Sequence, residues 1–218
     1  MKIISYCLWG NNPKYTIGAI KNAELAGTYY PDWTCRFYCA KDVNAAVVLK
    51  LKSYQNTDVK LIDSKGDWKF TVNRFLPISE NIELMISRDT DSRISEREVA
   101  AVNEWIKSGK SAHIMRDHPY HGGFPMLAGM FGIKGGIIKN VSALFNLMGP
   151  LPEQYHYDQI FLSKFIYPYI EKDVVVHDEI FEKKSFPTKR NGLNFVGQAF
   201  DENDKPCNPE HAELLKNI

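Results

Sequence analysis

The sequence predicts an α/β protein with a single domain and a mainly parallel central sheet. Its 218 residues match the usual length of one domain. Strand-like apolar runs alternate with helical patterns from residue 2 onward, and this order implies parallel strands joined by right-handed crossovers. Hydrophobic residues make up 44% of the chain and charged residues 24%, so it can bury a sizeable core.

The first half of the chain carries the regular part of this pattern. Short apolar runs bounded by turn residues predict strands at 2–8, 34–39, 59–62 and 82–86. Helical spacing after Pro13 predicts a helix that stops near Gly27, and a second helix is predicted at 43–54. A third helix at 95–108 has the sequence of a capping box, with Ser95 as the cap and Glu98 three positions later.

The second half of the chain is less regular. The same reasoning predicts the following elements: a strand at 112–115, a polar loop at 117–123, a glycine-containing strand at 127–130, helices at 137–148 and 157–169, a strand at 174–176 and a loop-rich tail from 182 onward. Asp158 would cap the helix at 157–169, and His177 would follow the last strand.

Charge and cysteine content narrow the function classes. Lys plus Arg number 27 and Asp plus Glu number 26, so the net charge is +1 with neutral histidines. This balance argues against a nucleic-acid partner, since such binding needs surplus basic residues. We expect no membrane-spanning segment, because no apolar run approaches about 20 residues. We expect no signal peptide, because the apolar start is short and is broken by Gly10-Asn11-Asn12-Pro13. The four cysteines fit neither a zinc clip nor a disulfide framework, which favours a cytoplasmic protein, or a viral one in its host's cytoplasm.

The strongest chemical motif is Asp89-Thr90-Asp91, directly after the apolar run at 82–86. Ligands of open α/β sheets bind outside the carboxyl ends of strands. Two carboxylates there can share a divalent cation that also binds substrate phosphates. Arg88 and Arg93 flank the pair and are able to keep it ionised or contact phosphate. The alternative is an ordinary turn with surface salt bridges.

Further polar groups follow other predicted elements. His177 is a candidate ligand for a transition metal such as Mn²⁺, or it merely caps a strand. The Asp158 carboxylate is a candidate for binding an acceptor hydroxyl or taking its proton, or it only caps a helix. The loop at 117–123 has polar and aromatic side chains that suit the binding of a sugar acceptor. The basic residues of the tail suit the binding of a diphosphate. The acceptor candidates are Asp117, His118, Tyr120 and His121.

The order of these motifs resembles the GT-A glycosyltransferases. A βαβαβ start leads to Asp89-Thr90-Asp91, a glycine-containing segment at 127–130, Asp158-Gln159 at a helix start and finally His177. The order is most similar to small retaining members, such as galactosyltransferases and glycogenin, and to compact viral and bacterial members. The resemblance covers residues 2–178. Two positions depart from the family's pattern, since Ile160 follows Asp158-Gln159 and Asp178 follows His177.

The resemblance implies a GT-A domain that is a metal-dependent hexosyltransferase. It would move a sugar from a nucleoside-diphosphate sugar, with UDP favoured, to a glycan, glycoprotein or other hydroxyl acceptor, with retention favoured. Asp89, Asp91 and His177 would hold Mn²⁺, with Mg²⁺ as the second choice, and Asp158 and Gln159 would be catalytic. Residues 1–93 would bind the nucleotide, 94–180 the acceptor, and 181–218 would cover the donor. The donor-binding set is Tyr6, Leu8, Trp9, Asn11, Arg74, Arg88, Thr90 and Lys189.

Three other function classes fit part of the pattern. A D-x-D phosphohydrolase usually carries its motif on the first strand, with Thr or Val two residues after the second Asp, whereas Ser92-Arg93 follow here. A sugar-nucleotide pyrophosphorylase would share the sheet, but Gly10-Asn11-Asn12 lacks the arginine of its glycine-rich first loop. A non-catalytic carbohydrate-binding domain would keep a cleft without turnover.

Overall fold

The computed structural model describes residues 1–149 and 155–217. Its centre is a seven-stranded sheet in which each strand is numbered in chain order. The strands are β1 Lys2–Leu8, β2 Trp33–Ala40, β3 Thr57–Ile62, β4 Leu84–Ser87, β5 Ala112–Arg116, β6 Phe131–Lys134 and β7 Val174–Asp178. Their spatial order is β3-β2-β1-β4-β6-β5-β7. β6 runs antiparallel to β4 and β5, and the other neighbouring pairs are parallel.

Helices cover both faces of this sheet. They are α1 Pro13–Tyr29, α2 Ala45–Lys52, α3 Glu96–Ser108, α4 Val141–Leu147, α5 Tyr157–Phe161, α6 Tyr167–Ile170 and α7 Pro209–Leu214. The other helical pieces are the 3₁₀ segments Trp68–Ser79, Pro119–His121 and Leu215–Asn217 and a π turn at Leu162–Ile166. Within the described ranges, no helix combines the length and apolar character needed to cross a membrane.

Local sequence explains where the longest helices begin and end. The Asn12 side chain accepts a hydrogen bond from the Lys14 N–H at 3.0 Å and caps α1, which Pro13 opens. Ser95 caps α3 by accepting from the Glu98 N–H at 3.3 Å, as the capping-box pattern predicted. Gly109, in the left-handed region at φ 70°, ends α3.

The core has two layers because successive residues of β1 point to opposite faces of the sheet. Ile3 packs beneath the helical segments of 68–79 and 157–170, together with Phe75 and Phe131. Ile4 packs on the other face, against α1 and α3. Burying such side chains contributes about 1.5–3 kcal/mol each. The predicted α/β class and its mainly parallel sheet are therefore confirmed, with strands buried on both faces.

Some predicted boundaries are wrong. Residues 127–130 form a turn closed by the Met130 N–H to the Leu127 carbonyl at 3.0 Å, and the strand begins one residue later. The helix predicted at 157–169 is two short helices joined by a π turn, in a stretch that contains Pro168. The 3₁₀ segment at 68–79 was not predicted, since its pattern follows neither the helical nor the strand period.

Candidate active site

An open cleft lies at the carboxyl ends of β1 and β4, where the sheet topology predicts a ligand site. Seven of the seventeen predicted site residues line it, beside several aromatic and polar side chains that the sequence did not single out. The lining residues are Cys7, Trp9, Tyr15, Trp68, Thr71, Arg74, Asp89, Thr90, Asp91, Tyr155, His156, Asp158 and Gln159.

The antiparallel strand β6 shapes the floor of the cleft. Phe131, the first residue of β6, pairs with Ser87, the last residue of β4. Gly129 therefore lies beneath Asp89, because each is two residues beyond that pair. A β-carbon at position 129 would come within 2.0 Å of the Asp89 Oδ2 atom. Only glycine leaves room for the carboxylate here, which gives the glycine-containing segment of the sequence a physical role.

Arg74 joins the two acidic elements of the cleft. Its Nη1 donates to the Asp89 carboxylate, and its Nη2 donates to Asp158 Oδ2 at 2.5 Å. Burial by itself would lower the pKa of Arg74, but the charges of Asp89 and Asp158 outweigh it and raise the pKa above its ordinary value. The guanidinium thus stays charged and fixes the distance between the acidic loop and α5.

Asp91 is held by a lysine that the sequence analysis missed. Lys14, in the first turn of α1, places its Nζ 2.8 Å from Asp91 Oδ2. Burial raises the pKa of Asp91, and the nearby charge of Asp89 raises it further, while Lys14 opposes the shift. The two acids of the motif therefore repel each other across the cleft floor, and a cation between them would relieve that repulsion.

Asp158 and Gln159 reach the cleft from the first turn of α5. His156, at φ 69°, is the residue before that helix, so Asp158 is its second residue rather than its cap. Asp158 Oδ1 accepts from the Gln159 N–H at 2.8 Å, while Gln159 Oε1 accepts from the Ala128 N–H at 3.1 Å. Backbone and side chain thus orient both groups.

An aromatic wall, formed by Trp9, Trp68 and Tyr155, borders the acidic floor. The Trp68 ring lies edge-on to Tyr155 at 5.1 Å between centroids and to Trp9 at 6.2 Å. Trp68 and Tyr155 are exposed in spite of their size. Trp9 was predicted to contact the donor. Trp68 and Tyr155 were missed, although single aromatics in loops are a signal for ring-shaped ligands.

His177 does not join the two aspartates. It lies on β7, three strands from β4 in the sheet. Its Nδ1 is 2.7 Å from His113 Nε2, and its Nε2 is 3.6 Å from Glu104 Oε1. Burial lowers the pKa of His177 and favours the neutral ring. Across the described ranges, no three His, Cys, Asp or Glu side chains are arranged to hold a metal ion. The three-ligand arrangement expected from the sequence is therefore not assembled.

Several expected donor-binding residues also lie outside the cleft. Tyr6 and Leu8 point to the opposite face of β1 from Cys7, and Tyr6 stacks on Phe37 at 4.8 Å. Asn11 accepts from the Asn44 N–H at 2.7 Å and shapes a loop. The other two residues lie away from the cleft. Arg88 is buried and donates a hydrogen bond to Glu98, and Lys189 lines a second cavity.

The expected acceptor loop serves to hold the tail. Asp117 is fully buried and accepts hydrogen bonds from Arg97, Arg190 and the Val196 N–H. His118 stacks between rings of the tail, at 4.3 Å from Phe195 and 5.2 Å from His211. His121 accepts from the Asp117 N–H at 3.0 Å, and Tyr120 is exposed beside His211. The cleft-lining residues include none from 181–217, although the Phe200 N–H of the tail donates to the Asp91 carbonyl at 2.8 Å, and a cover over the donor stays a prediction.

The sheet order, the antiparallel β6 and the acidic loop after β4 define a GT-A-like fold, the fold of nucleotide-diphospho-sugar transferases, as the sequence predicted. The chain matches no protein-family model and no curated protein sequence. The likeness is to solved structures alone, at low sequence identity.

Three solved structures illustrate the likeness. The chain is similar to 4-diphosphocytidyl-2C-methyl-D-erythritol synthase from Anaerococcus prevotii, with TM-score 0.51 and 10% identity over 86% of this chain and 92% of that one. It is similar to S. aureus TarS 1–349, with TM-score 0.51 and 12% identity over 85% of this chain and 58% of that one. The galactosyltransferase LgtC, in complex with donor and acceptor sugar analogs, has TM-score 0.49 and 14% identity over 82% and 74%.

Proposed function

We propose that the protein is a glycosyltransferase that transfers a hexosyl group from a UDP-sugar to a hydroxyl acceptor, with retention at the anomeric carbon. The observation that carries the proposal is the convergence of Asp89, Asp91, Arg74 and Asp158 in one cleft at the carboxyl edge of a GT-A-like sheet. These residues supply three chemical elements: an acidic floor for a diphosphate-bound cation, the fixed positive charge of Arg74, and the Asp158 carboxylate beside the sugar.

The residues of the cleft have distinct proposed roles. The aromatic wall would stack on the flat faces of the base and sugar. Asp158 would accept a hydrogen bond from the acceptor hydroxyl and take its proton, oriented by its bond to Arg74. Lys14, next to Asp91, would stabilise negative charge that develops on the departing phosphate oxygens.

The acidic pair fits a divalent cation, Mn²⁺ in our proposal. Such ions commonly bind one or two protein carboxylates and fill their remaining positions with phosphate oxygens and water. Asp89 and Asp91 are close enough for the charge of Asp89 to add to the effect of burial in raising the pKa of Asp91, and a divalent cation between them would offset that repulsion. When bound, the ion would supply Lewis-acid stabilisation of the leaving diphosphate.

A nucleotidyltransferase is the second candidate. Lys14, in the first turn of α1, pairs with Asp91 of the acidic loop, where a lysine would also bind the phosphates of a nucleoside triphosphate. The chain also spans 92% of a structure named as a diphosphocytidyl-methylerythritol synthase. The products separate the two candidates, because a glycosyltransferase releases nucleoside diphosphate and a nucleotidyltransferase releases pyrophosphate.

Thermal shift with UDP-glucose and UDP-galactose, each with Mn²⁺, tests the binding step. A ligand that binds only the folded protein raises its melting temperature by mass action. We expect a UDP-sugar to raise the melting temperature and EDTA to remove most of that rise. An equal rise with and without EDTA would contradict the metal role.

Release of UDP in the presence of an oligosaccharide acceptor tests turnover. We expect Asp91→Asn to lower the rate at least about a hundredfold, because removing an electrostatic stabiliser of the transition state has effects of that order. Asp63→Asn, an exposed aspartate outside the cleft, should leave the rate unchanged. Pyrophosphate release from CTP or UTP, without UDP release, would favour the nucleotidyltransferase.

A further inference from the structure

We propose that a second cavity, between the start of α3 and the segment 188–200, binds a saccharide chain. Its volume is about 390 Å³, against about 190 Å³ for the cleft. Ligand sites generally measure about 300–1,000 Å³. The cavity and the cleft share no lining residue, so its ligand would not compete with the donor. This inference goes beyond the proposed function, because binding here requires no transfer in the cleft.

The wall of the cavity is preformed. Asp117 binds the Val196 N–H at 3.0 Å and the guanidinium of Arg97 on α3, which ties segment 188–200 to that helix. The Phe200 N–H donates to the Asp91 carbonyl at 2.8 Å and fixes the other end of the segment. A ligand would therefore meet a fixed surface, which lowers the entropic cost of binding.

Gln198 points to a ligand. It lines the cavity with only 4% of its surface exposed, and its Oε1 has no hydrogen-bond partner among the described residues. Its position is set by Gly197, at φ 82°, where a β-carbon would come within 2.5 Å of the Met130 sulfur. A buried amide oxygen without a partner is unfavourable, and rotation of the Gln198 side chain toward the cavity would let a hydroxyl of a bound sugar satisfy it.

The cavity is lined by uncharged polar side chains together with Arg93, Arg97, Lys189 and Glu96, and the uncharged groups fit the hydroxyls of a neutral sugar. Amide and hydroxyl side chains both donate and accept hydrogen bonds, as sugar hydroxyls do. Those beside Gln198 are Ser95, Thr188, Asn191 and Asn194. The cavity's arginines are already committed within the protein, Arg93 to Asp204 at 2.8 Å and Arg97 to Asp117 at 2.9 Å.

The surroundings of the cavity offer room for more than one sugar unit. A neighbouring cavity along α1 shares Tyr29, Arg93 and Ile94 with it, so the two lie side by side. Aromatic side chains at Tyr29, Phe195 and Phe200 offer apolar surface for the C–H faces of successive sugar rings. The geometry therefore suits an oligosaccharide rather than a monosaccharide.

Saturation-transfer NMR on the full chain tests this with four probes: maltotriose, cellotriose, xylotriose and N-acetylchitotriose. We expect at least one probe to bind. Gln198→Leu, which keeps the volume and removes the amide, and Asn194→Ala should each weaken that binding about tenfold, or about 1.4 kcal/mol. Asn203→Ala, an exposed amide of the tail outside the cavity, should change nothing.

Melting temperatures of the variants show whether they fold, and exposed Asn194 provides the safer substitution. Asp158→Asn should leave trisaccharide binding intact even if it abolishes UDP release, so failure of this inference and failure of the proposed function are distinguishable. The proposal is overturned if no probe binds, if both cavity variants bind like the wild type, or if inorganic phosphate displaces the trisaccharide.

Discussion

Two aspartates at the same edge of the sheet have opposite surroundings. Asp89 follows β4 and Asp117 follows β5, and the two strands run in the same direction. The Asp89 side chain is 48% exposed and faces a cleft, whereas the Asp117 side chain is 0% exposed. Asp117 is enclosed by Arg97, Arg190 and the Val196 N–H, here called the Asp117 clasp.

The comparison shows that a carboxylate after a strand becomes a binding group or a structural one according to what covers it. In the cleft, Arg74 satisfies one side of Asp89 and leaves the other side to solvent or ligand. In the clasp, two arginines and a backbone N–H use the carboxylate completely. Asp89 and Asp117 therefore differ in whether their carboxylate oxygens can still accept hydrogen bonds, rather than in their position along the strand.

The largest effect should come from breaking the clasp. We expect Asp117→Ala to lower the free energy of unfolding by about 3–5 kcal/mol, because it removes the fully buried anion of two largely buried arginines and leaves them only the partly exposed Glu179. Urea unfolding followed by circular dichroism measures the change. Asp204→Ala is the control, since Asp204 also pairs with two cations but is half exposed, and it should cost about 0–1 kcal/mol. Equal losses for both variants would contradict the comparison.

A pH titration sharpens the same contrast. Burial, aided by His118 and His211, lowers the pKa of His121 to about 3, against about 6.5 in an unfolded chain. Below pH 6.5 the unfolded state therefore binds a proton that the folded state excludes. The free energy of unfolding should fall as pH drops from about 6.5 to about 3, by about 1.4 kcal/mol per pH unit from this residue.

His121→Asn should reduce that slope by the same amount, because asparagine keeps an acceptor for the Asp117 N–H but does not titrate. Urea unfolding at several pH values measures the slope. Tyr120→Phe, in the same loop, serves as the control and should keep the wild-type slope. An unchanged slope in His121→Asn would show that the histidine is protonated within the folded protein.

The smallest stability effect should come from the cleft. Asp89→Asn should change the free energy of unfolding by only about 0–1 kcal/mol, because the ion pair with Arg74 is partly exposed and Arg74 keeps its bond to Asp158. The same variant should abolish Mn²⁺-dependent UDP release. A loss as large as that of Asp117→Ala would mean that the cleft acids are structural.

The sheet could be predicted well from the sequence, because buried strands and capped helices have recognisable local sequence patterns, as at Lys2–Leu8 and Ser95. The sequence also indicated Asp89, Asp91, Asp158 and Arg74 as candidate site residues, and the structure places all four in one cleft, while their roles stay predictions. The prediction of site residues failed where a role depends on which face of the sheet a side chain points to. Tyr6 and Cys7 are neighbours in sequence, yet one enters the core and the other lines the cleft.

His177 shows a second kind of failure. Its place after a run of valines suggested a ligand at the carboxyl edge of the sheet, but the distance from β4 depends on how many strands intervene. The partner of His177, His113, lies 64 positions away along the chain, and no local pattern links the two residues. Pairings of that kind are set by topology and are beyond reach of spacing arguments.

The π turn at Leu162–Ile166 has a consequence for how the cleft carboxylate is aimed. A π turn holds one more residue than an α turn, so it changes the rotational phase between α5 and α6 by about 100°. That offset lets Ile170 face the core while Asp158 faces Arg74. Deleting a single residue from the turn would rotate one helix against the other. Ile170 could then not stay in the core while Asp158 kept its contact with Arg74.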